Sequence, residues 1–129
     1  MIDSLITYLQ ANTDNFTTIE HAWTTEPVDE VRELAPALWL FPDDEDTEAD
    51  GTDYLVSNML HKDVSIYIVC DISELEARKA ELRTAAIGWR AGPSYHDLHL
   101  VRGKMLSIKG SLAWWHETYR NAVVLREAY

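Results

Sequence analysis

His96-x-x-His99 has the residue types of half a metal site, and the neighbours His116-Glu117 have the types of an acid–base couple. Their spacing argues against both uses. Side chains alternate along an extended strand, so residues one or three apart point to opposite faces and do not converge on one ion or one proton. A cross-hairpin pairing of His99 with His116 or Glu117 is the one arrangement left open for these groups. His21 and His61 have no partner visible in the sequence. Asp46-x-Glu48-x-Asp50-Gly51 begins like an EF-hand loop, but such a loop closes on a bidentate Glu at its twelfth position, where this chain has Ser57. The lone Cys70 follows the apolar run Val64–Val69, which predicts a buried, inert thiol and a chain made in a reducing cytoplasm. There is no nucleophile elbow and no Gly-rich phosphate loop. The expectation is a protein that is not an enzyme and needs no metal and no cofactor.

The aromatic residues near the C-terminus say more. Trp114, Trp115 and Tyr119 lie in a β-rich run together with Arg120. Alternation places Trp114, His116, Thr118 and Arg120 on one face and Trp115, Glu117, Tyr119 and Asn121 on the other. Large aromatics on both faces mean that both faces are covered. One reading puts the indoles in the core and against a helix; the other makes a Trp, with Tyr119 and Arg120, an anchor between subunits, where such residues are enriched. A second candidate contact surface is the acidic group Asp43, Asp44, Glu45, Asp46, Glu48 and Asp50.

The elements that must position these residues can be read in order. Ile2, Leu5, Ile6 and Leu9 recur at helical spacing, predicting a helix over Ile2–Asn12 that ends in Asn12-Thr13-Asp14-Asn15. Phe16–Trp23 is short and β-rich, an edge strand. Thr25-Glu26-Pro27 starts a second, short helix with Val28, Val31 and Leu34 as its stripe, closed by Pro36. Ala37–Phe41 reads as a buried central strand, and Asp43–Asp53, with seven carboxylates in eleven residues, as an exposed loop. Tyr54–His61 and Val64–Cys70 are strand material, either one bent strand or a hairpin turning near Lys62-Asp63. Val64, Ile66, Ile68 and Cys70 face one way, and Ser65, Tyr67 and Val69 the other. Ser73-Glu74-Leu75-Glu76 has the form of a capping box opening a helix to about Trp89. Its buried stripe is Leu75, Leu82, Ala86 and Trp89, with Arg78, Lys79 and Arg83 towards water. A hairpin follows, Tyr95–Ile108 and Ser111–Leu125, turning at Lys109-Gly110. The class is α+β: an antiparallel or mixed sheet of four to five strands with the two longer helices on one face.

Length and balance fit one domain, residues 1–129, with 47% hydrophobic and 26% charged residues. No apolar run is long enough to span a bilayer, and the start lacks a basic leader pattern. Residues 1–53 hold fourteen Asp/Glu and one Arg, a balance of −13; residues 54–129 hold ten Lys/Arg and eight Asp/Glu, a balance of +2, which sum to −11. Nucleic-acid binding by counterion release needs clustered cations and is disfavoured. An acidic patch on one copy meeting a basic patch on another suits the division; so does plain solubility.

Three pieces, Ile87-Gly88-Trp89-Arg90, Arg102-Gly103-Lys104-Met105-Leu106 and Leu112-Ala113-Trp114-Trp115-His116-Glu117, resemble in order and spacing the tail terminator proteins of Mu-like and lambda-like tailed phages and prophages. The opening Met1–Ile6 and Ala35-Pro36-Ala37-Leu38 fit the same pattern. The acidic stretch after Pro42 and the polar C-terminal end depart from it. The resemblance implies a structural virion protein that forms a hexameric ring on the head-proximal end of the tail tube and ends tube growth. It implies as partners the tail tube protein and a head-completion or connector protein, at the head–tail junction of the virion after assembly in the host cytoplasm. DNA would pass through the ring without specific binding; six copies at −11 sum to −66, which would repel phosphate. Two alternatives stand beside it: another neck component, such as a head-closure or tail-completion protein, or a small acid–base or metal-dependent enzyme.

Overall fold

The computed structural model describes residues 1–22, 34–49 and 58–126. In chain order these form α1 (Ile2–Asn12), β1 (Thr18–His21), β2 (Ala37–Ala49), β3 (Asn58–Asp71), a 3-10 turn (Ile72–Glu74), α2 (Leu75–Ala86), β4 (His99–Lys109) and β5 (Leu112–Arg126). The five strands make one sheet in the order β1-β2-β3-β5-β4, with β1 parallel to β2 and the other pairs antiparallel. The expected α+β class and strand number are what the structure shows. The short helix expected after Pro27, with Val28 and Val31, lies outside the described residues.

Both long helices pack on the same face. Leu5, Ile6 and Leu9 of α1 and Leu75, Leu82, Ala85 and Ala86 of α2 join Leu38, Leu40, Val64, Ile66, Ile68, Cys70, Ala113 and Tyr119 in one buried cluster. Period-two alternation in β2, β3 and β5 supplies the sheet side of it. The α1 end is held as its residues suggest: the Asn12 and Thr13 side chains donate to the carbonyls of Tyr8 and Leu9 at 2.8 and 2.7 Å. Cys70 is buried there, and burial pushes its thiol up to about 11.

Five expectations are corrected. The stretch Asp43–Asp53 is not a loop over its first part, because β2 runs on through Pro42 to Ala49. Asp44, Glu45, Asp46 and Glu48 stand opposite Asp63, Lys62, His61 and Met59 of β3, after a register shift between Pro42 and Asp44. A bulge of this kind accommodates a residue with no N–H to donate, and the ladder outweighs the mutual repulsion expected of the carboxylates. Of the two arrangements left open for the next stretch, the single strand is the one formed: β3 runs from Asn58 to Asp71 without turning at Lys62-Asp63.

The start of α2 differs as well. Ser73 is not the cap: its N–H and hydroxyl both donate to Asp71 Oδ1, at 2.9 and 2.7 Å, and a 3-10 turn leads into the helix. The helix ends at Ala86, three residues short of Trp89. Of the three cations expected to face water, Lys79 is buried and Arg83 reaches back to the sheet. Finally, β4 begins at His99 rather than Tyr95, which makes only an isolated bridge to Val123.

Candidate functional site

Two of the three sequence pieces that carry the family resemblance, Arg102–Leu106 and Leu112–Glu117, meet physically. Trp115 lies across Gly103 on the neighbouring strand, so close that a Cβ at Gly103 would sit 2.6 Å from the indole ring. Only glycine fits beneath that ring, which couples Arg102-Gly103-Lys104 to the Trp114-Trp115 pair. On the ring's other side, the Lys79 ammonium lies 4.0 Å from its centroid, a cation–π contact that explains why this lysine is buried. Gly88, at φ +92°, turns the chain after α2; its N–H donates to Leu98 O, and Leu98 N–H returns to Trp89 O. Trp89 then packs on Tyr8 of α1, with centroids 6.0 Å apart.

Glu117 is the centre of this face. It is fully buried on β5 and accepts four hydrogen bonds: from Arg83 Nε and Nη2 at 2.9 and 2.6 Å, from Trp115 Nε1 at 3.0 Å and from Tyr119 Oη at 2.7 Å. A buried carboxylate persists only when paired in this way. The hydrogen bond to Glu117 raises the Arg83 guanidinium above its ordinary value, while burial, followed by the Glu117 charge, pushes the Tyr119 phenol far up. Both carboxylate oxygens accept from protein donors and the group is fully buried, so it ties α2 to the sheet and presents no surface to a substrate. His116 faces away from it, as alternation requires.

The opposite face of the sheet has its own core. Ala37, Trp39, Tyr67, Val69, Leu112 and Trp114 are buried together, with Phe41 and Leu106 against them. Trp114 meets Trp39 at 5.3 Å and Tyr67 at 5.8 Å between ring centroids, in the tilted and edge-on geometries that aromatic quadrupoles favour. Beside this cluster Ser65 donates to Asp43 Oδ2 at 2.9 Å, and His116 Nε2 lies 2.8 Å from Ser65 Oγ. With the Ser65 hydroxyl hydrogen directed at Asp43, His116 Nε2 carries its own proton and donates to Ser65 Oγ. That is the reverse of a histidine accepting from a nucleophilic serine, and Ser65 is fully buried.

Burial lowers the His116 pKa; Asp43 acts against this, and Arg102 and Lys104 reinforce it. A histidine depressed in the folded state binds its proton more readily when unfolded. Its contribution is therefore whole above the unfolded value of about 6.5 and is lost as the pH falls through it. Chemical denaturation at about pH 7 and about pH 5 is expected to show lower stability at the acid end, with a smaller difference in His116→Asn. An equal loss in that variant would assign the effect elsewhere.

The predicted contact residues separate. Trp114 and Tyr119 are 2% and 0% exposed in the isolated subunit, so they have no surface to offer a partner and belong to the core. Trp115 is partly buried beneath Lys79. Arg120 is bidentate to Asp63, at 2.7 and 3.0 Å, directly across the β3–β5 ladder. Asp43 is exposed, the backbone of Asp44–Glu48 is in β2, and Asp50 lies outside the described residues. His99 stands opposite Arg120, not His116 or Glu117. His96 precedes the strand, so the two histidines are not on alternating strand positions. Both line one cleft of about 610 Å³ with His61, Arg90, Asp97 and Arg120. His21 pairs with Asp3 at 2.6 Å. Among the described residues no three His, Cys, Asp or Glu are placed to hold a metal ion.

Among the described residues the arrangement is thus an α+β fold with a five-stranded mixed sheet, two α-helices on one face and an aromatic cluster on the other. No protein-family model matches the chain, and no curated protein does. Among solved structures, a chain in the virion of a native gene transfer agent (GTA) particle has the same fold, with a TM-score of 0.52 and 18% identity over 95% of this chain and 86% of that one.

Proposed function

We propose that this chain is a structural protein of a phage-like virion and, within that class, a tail terminator. The observation that carries the class is the shared fold: a virion chain matches this one over 95% of its length. The finer reading rests on the order and spacing of the sequence pieces, two of which, Arg102–Leu106 and Leu112–Glu117, pack on one another through Gly103 and Trp115. The titratable groups best placed for chemistry, Glu117 and the Ser65–His116 pair, are committed to holding the fold. In this reading several copies form a ring on the end of the tail tube, blocking further addition and presenting a surface to the head connector. A closed ring needs two unlike patches on each copy, and the uneven charge along the chain, −13 over residues 1–53 and +2 over the remainder, suits that need.

The test is polymerisation of purified tail tube protein in the presence of this chain, with tube length and end structure followed by electron microscopy. Shorter tubes carrying a ring at one end are expected. Unchanged tubes, with the chain bound instead to purified head connector, would replace the terminator reading with a head-closure one.

A further inference from the structure

Among the described residues the sheet is open at both sides. β4 is one edge and pairs only with β5. On the other side β1 is four residues long and pairs with β2 at Ala37–Leu40, so among the described residues Phe41–Ala49 pairs with β3 alone. These two open edges differ in charge. β4 carries Arg102, Lys104 and Lys109 and no carboxylate, whereas the open length of β2 carries Asp43, Asp44, Glu45, Asp46 and Glu48 and no base.

Strand polarity adds a second constraint. β2–β3, β3–β5 and β5–β4 are each antiparallel, so β4 runs opposite to β2. A second copy set beside the first without being turned over therefore brings its β2 antiparallel to β4, the pairing already used three times inside the subunit. β4 also leaves Val101 and Ile108 37% and 51% exposed. An edge that must remain single is normally kept free of such apolar surface and protected by charge and bulges. The bulges at Val101 and Leu106 are present, but the apolar side chains are exposed all the same.

The geometry points to a head-to-tail contact between copies in which the basic β4 edge of one docks on the acidic Phe41–Ala49 edge of the next. Main-chain hydrogen bonds extend the sheet, and opposite charge selects this edge over others. β1 occupies the level of Ala37–Leu40, so the incoming strand sits towards the Ala49 end of β2. The contact is heterologous and repeats from copy to copy, closing when the rotation per copy allows. It rests on the ring reading for that closure only.

Zero-length carbodiimide cross-linking of the full chain, mixed from isotopically light and heavy preparations, tests it directly. Light–heavy links joining Lys104 or Lys109 to a carboxylate in the 43–49 stretch are expected, and they should disappear at about 1 M salt, where the Debye length is about 3 Å. Lys104→Glu with Lys109→Glu should weaken self-association by about tenfold or more, and Asp44→Lys with Glu45→Lys in the partner copy should restore it. An assembled species whose inter-copy links lie only elsewhere would overturn the contact, as would a chain still monomeric at millimolar concentration in low salt. The tube assay separates the two ideas. A chain that caps tubes without these links retains the ring and loses this contact; one that makes the links and leaves tubes uncapped does the reverse.

Discussion

Trp114→Ala is expected to destabilise the fold by about 3–5 kcal/mol, the cost of emptying a large buried aromatic site. Trp114 is enclosed by Trp39, Tyr67, Val69 and Leu112 on the face away from the helices. None of these neighbours sits on a flexible segment that could collapse into the gap, since all belong to β2, β3 or β5. Domains of this kind are stable by only about 5–15 kcal/mol, so the loss is a large share of the whole. Urea denaturation should show a lower midpoint with an unchanged slope. Trp115→Ala, which removes a partly buried ring, should cost less. A loss below about 1 kcal/mol for Trp114→Ala would show that this face is not a core.

The second large effect concerns Glu117. Glu117→Ala is expected to cost about 3 kcal/mol, near the lower end for breaking a buried pair, because the Arg83 side chain is 36% exposed and can turn to water. The Tyr119 hydroxyl has no such escape; Tyr119 is fully buried and would lose its acceptor. Glu117→Gln keeps an oxygen for one donor and should fall between wild type and alanine. A double-mutant cycle of Arg83→Met with Glu117→Gln is expected to show coupling, because the two groups share two hydrogen bonds. Additive losses would mean that Arg83 stabilises through its stem alone.

Local alternation was enough to place most of the core. Trp114 and Trp115 face apart, and Val64, Ile66, Ile68 and Cys70 line the helix side, because a strand leaves each side chain only two directions. What the sequence hid depends on partners distant along the chain. Asp43–Ala49 has the composition of a loop, and nothing local says that Asn58–Asp63 will pair with it. Arg83 and Glu117 are 34 residues apart on different elements, and each alone resembles a surface charge. Lys79 looks solvent-facing on a helical wheel until Trp115 is laid beside it. Ser73 does not cap α2 because Asp71, two residues earlier, takes both of its donors and caps a 3-10 turn that precedes the helix. One signal was available for the Trp115 site: a glycine inside a strand marks a close approach, and Gly103 is where the indole crosses.

The proposed placement of this chain in a phage-like virion is tested most directly by counting it in purified particles from the host that encodes it. Quantitative mass spectrometry against isotope-labelled standard, with electron microscopy of the same particles, gives copy number and position together. The account predicts about six copies per particle, one closed ring, located where head meets tail. Absence from intact particles, or copies by the hundred along the tube, would contradict it.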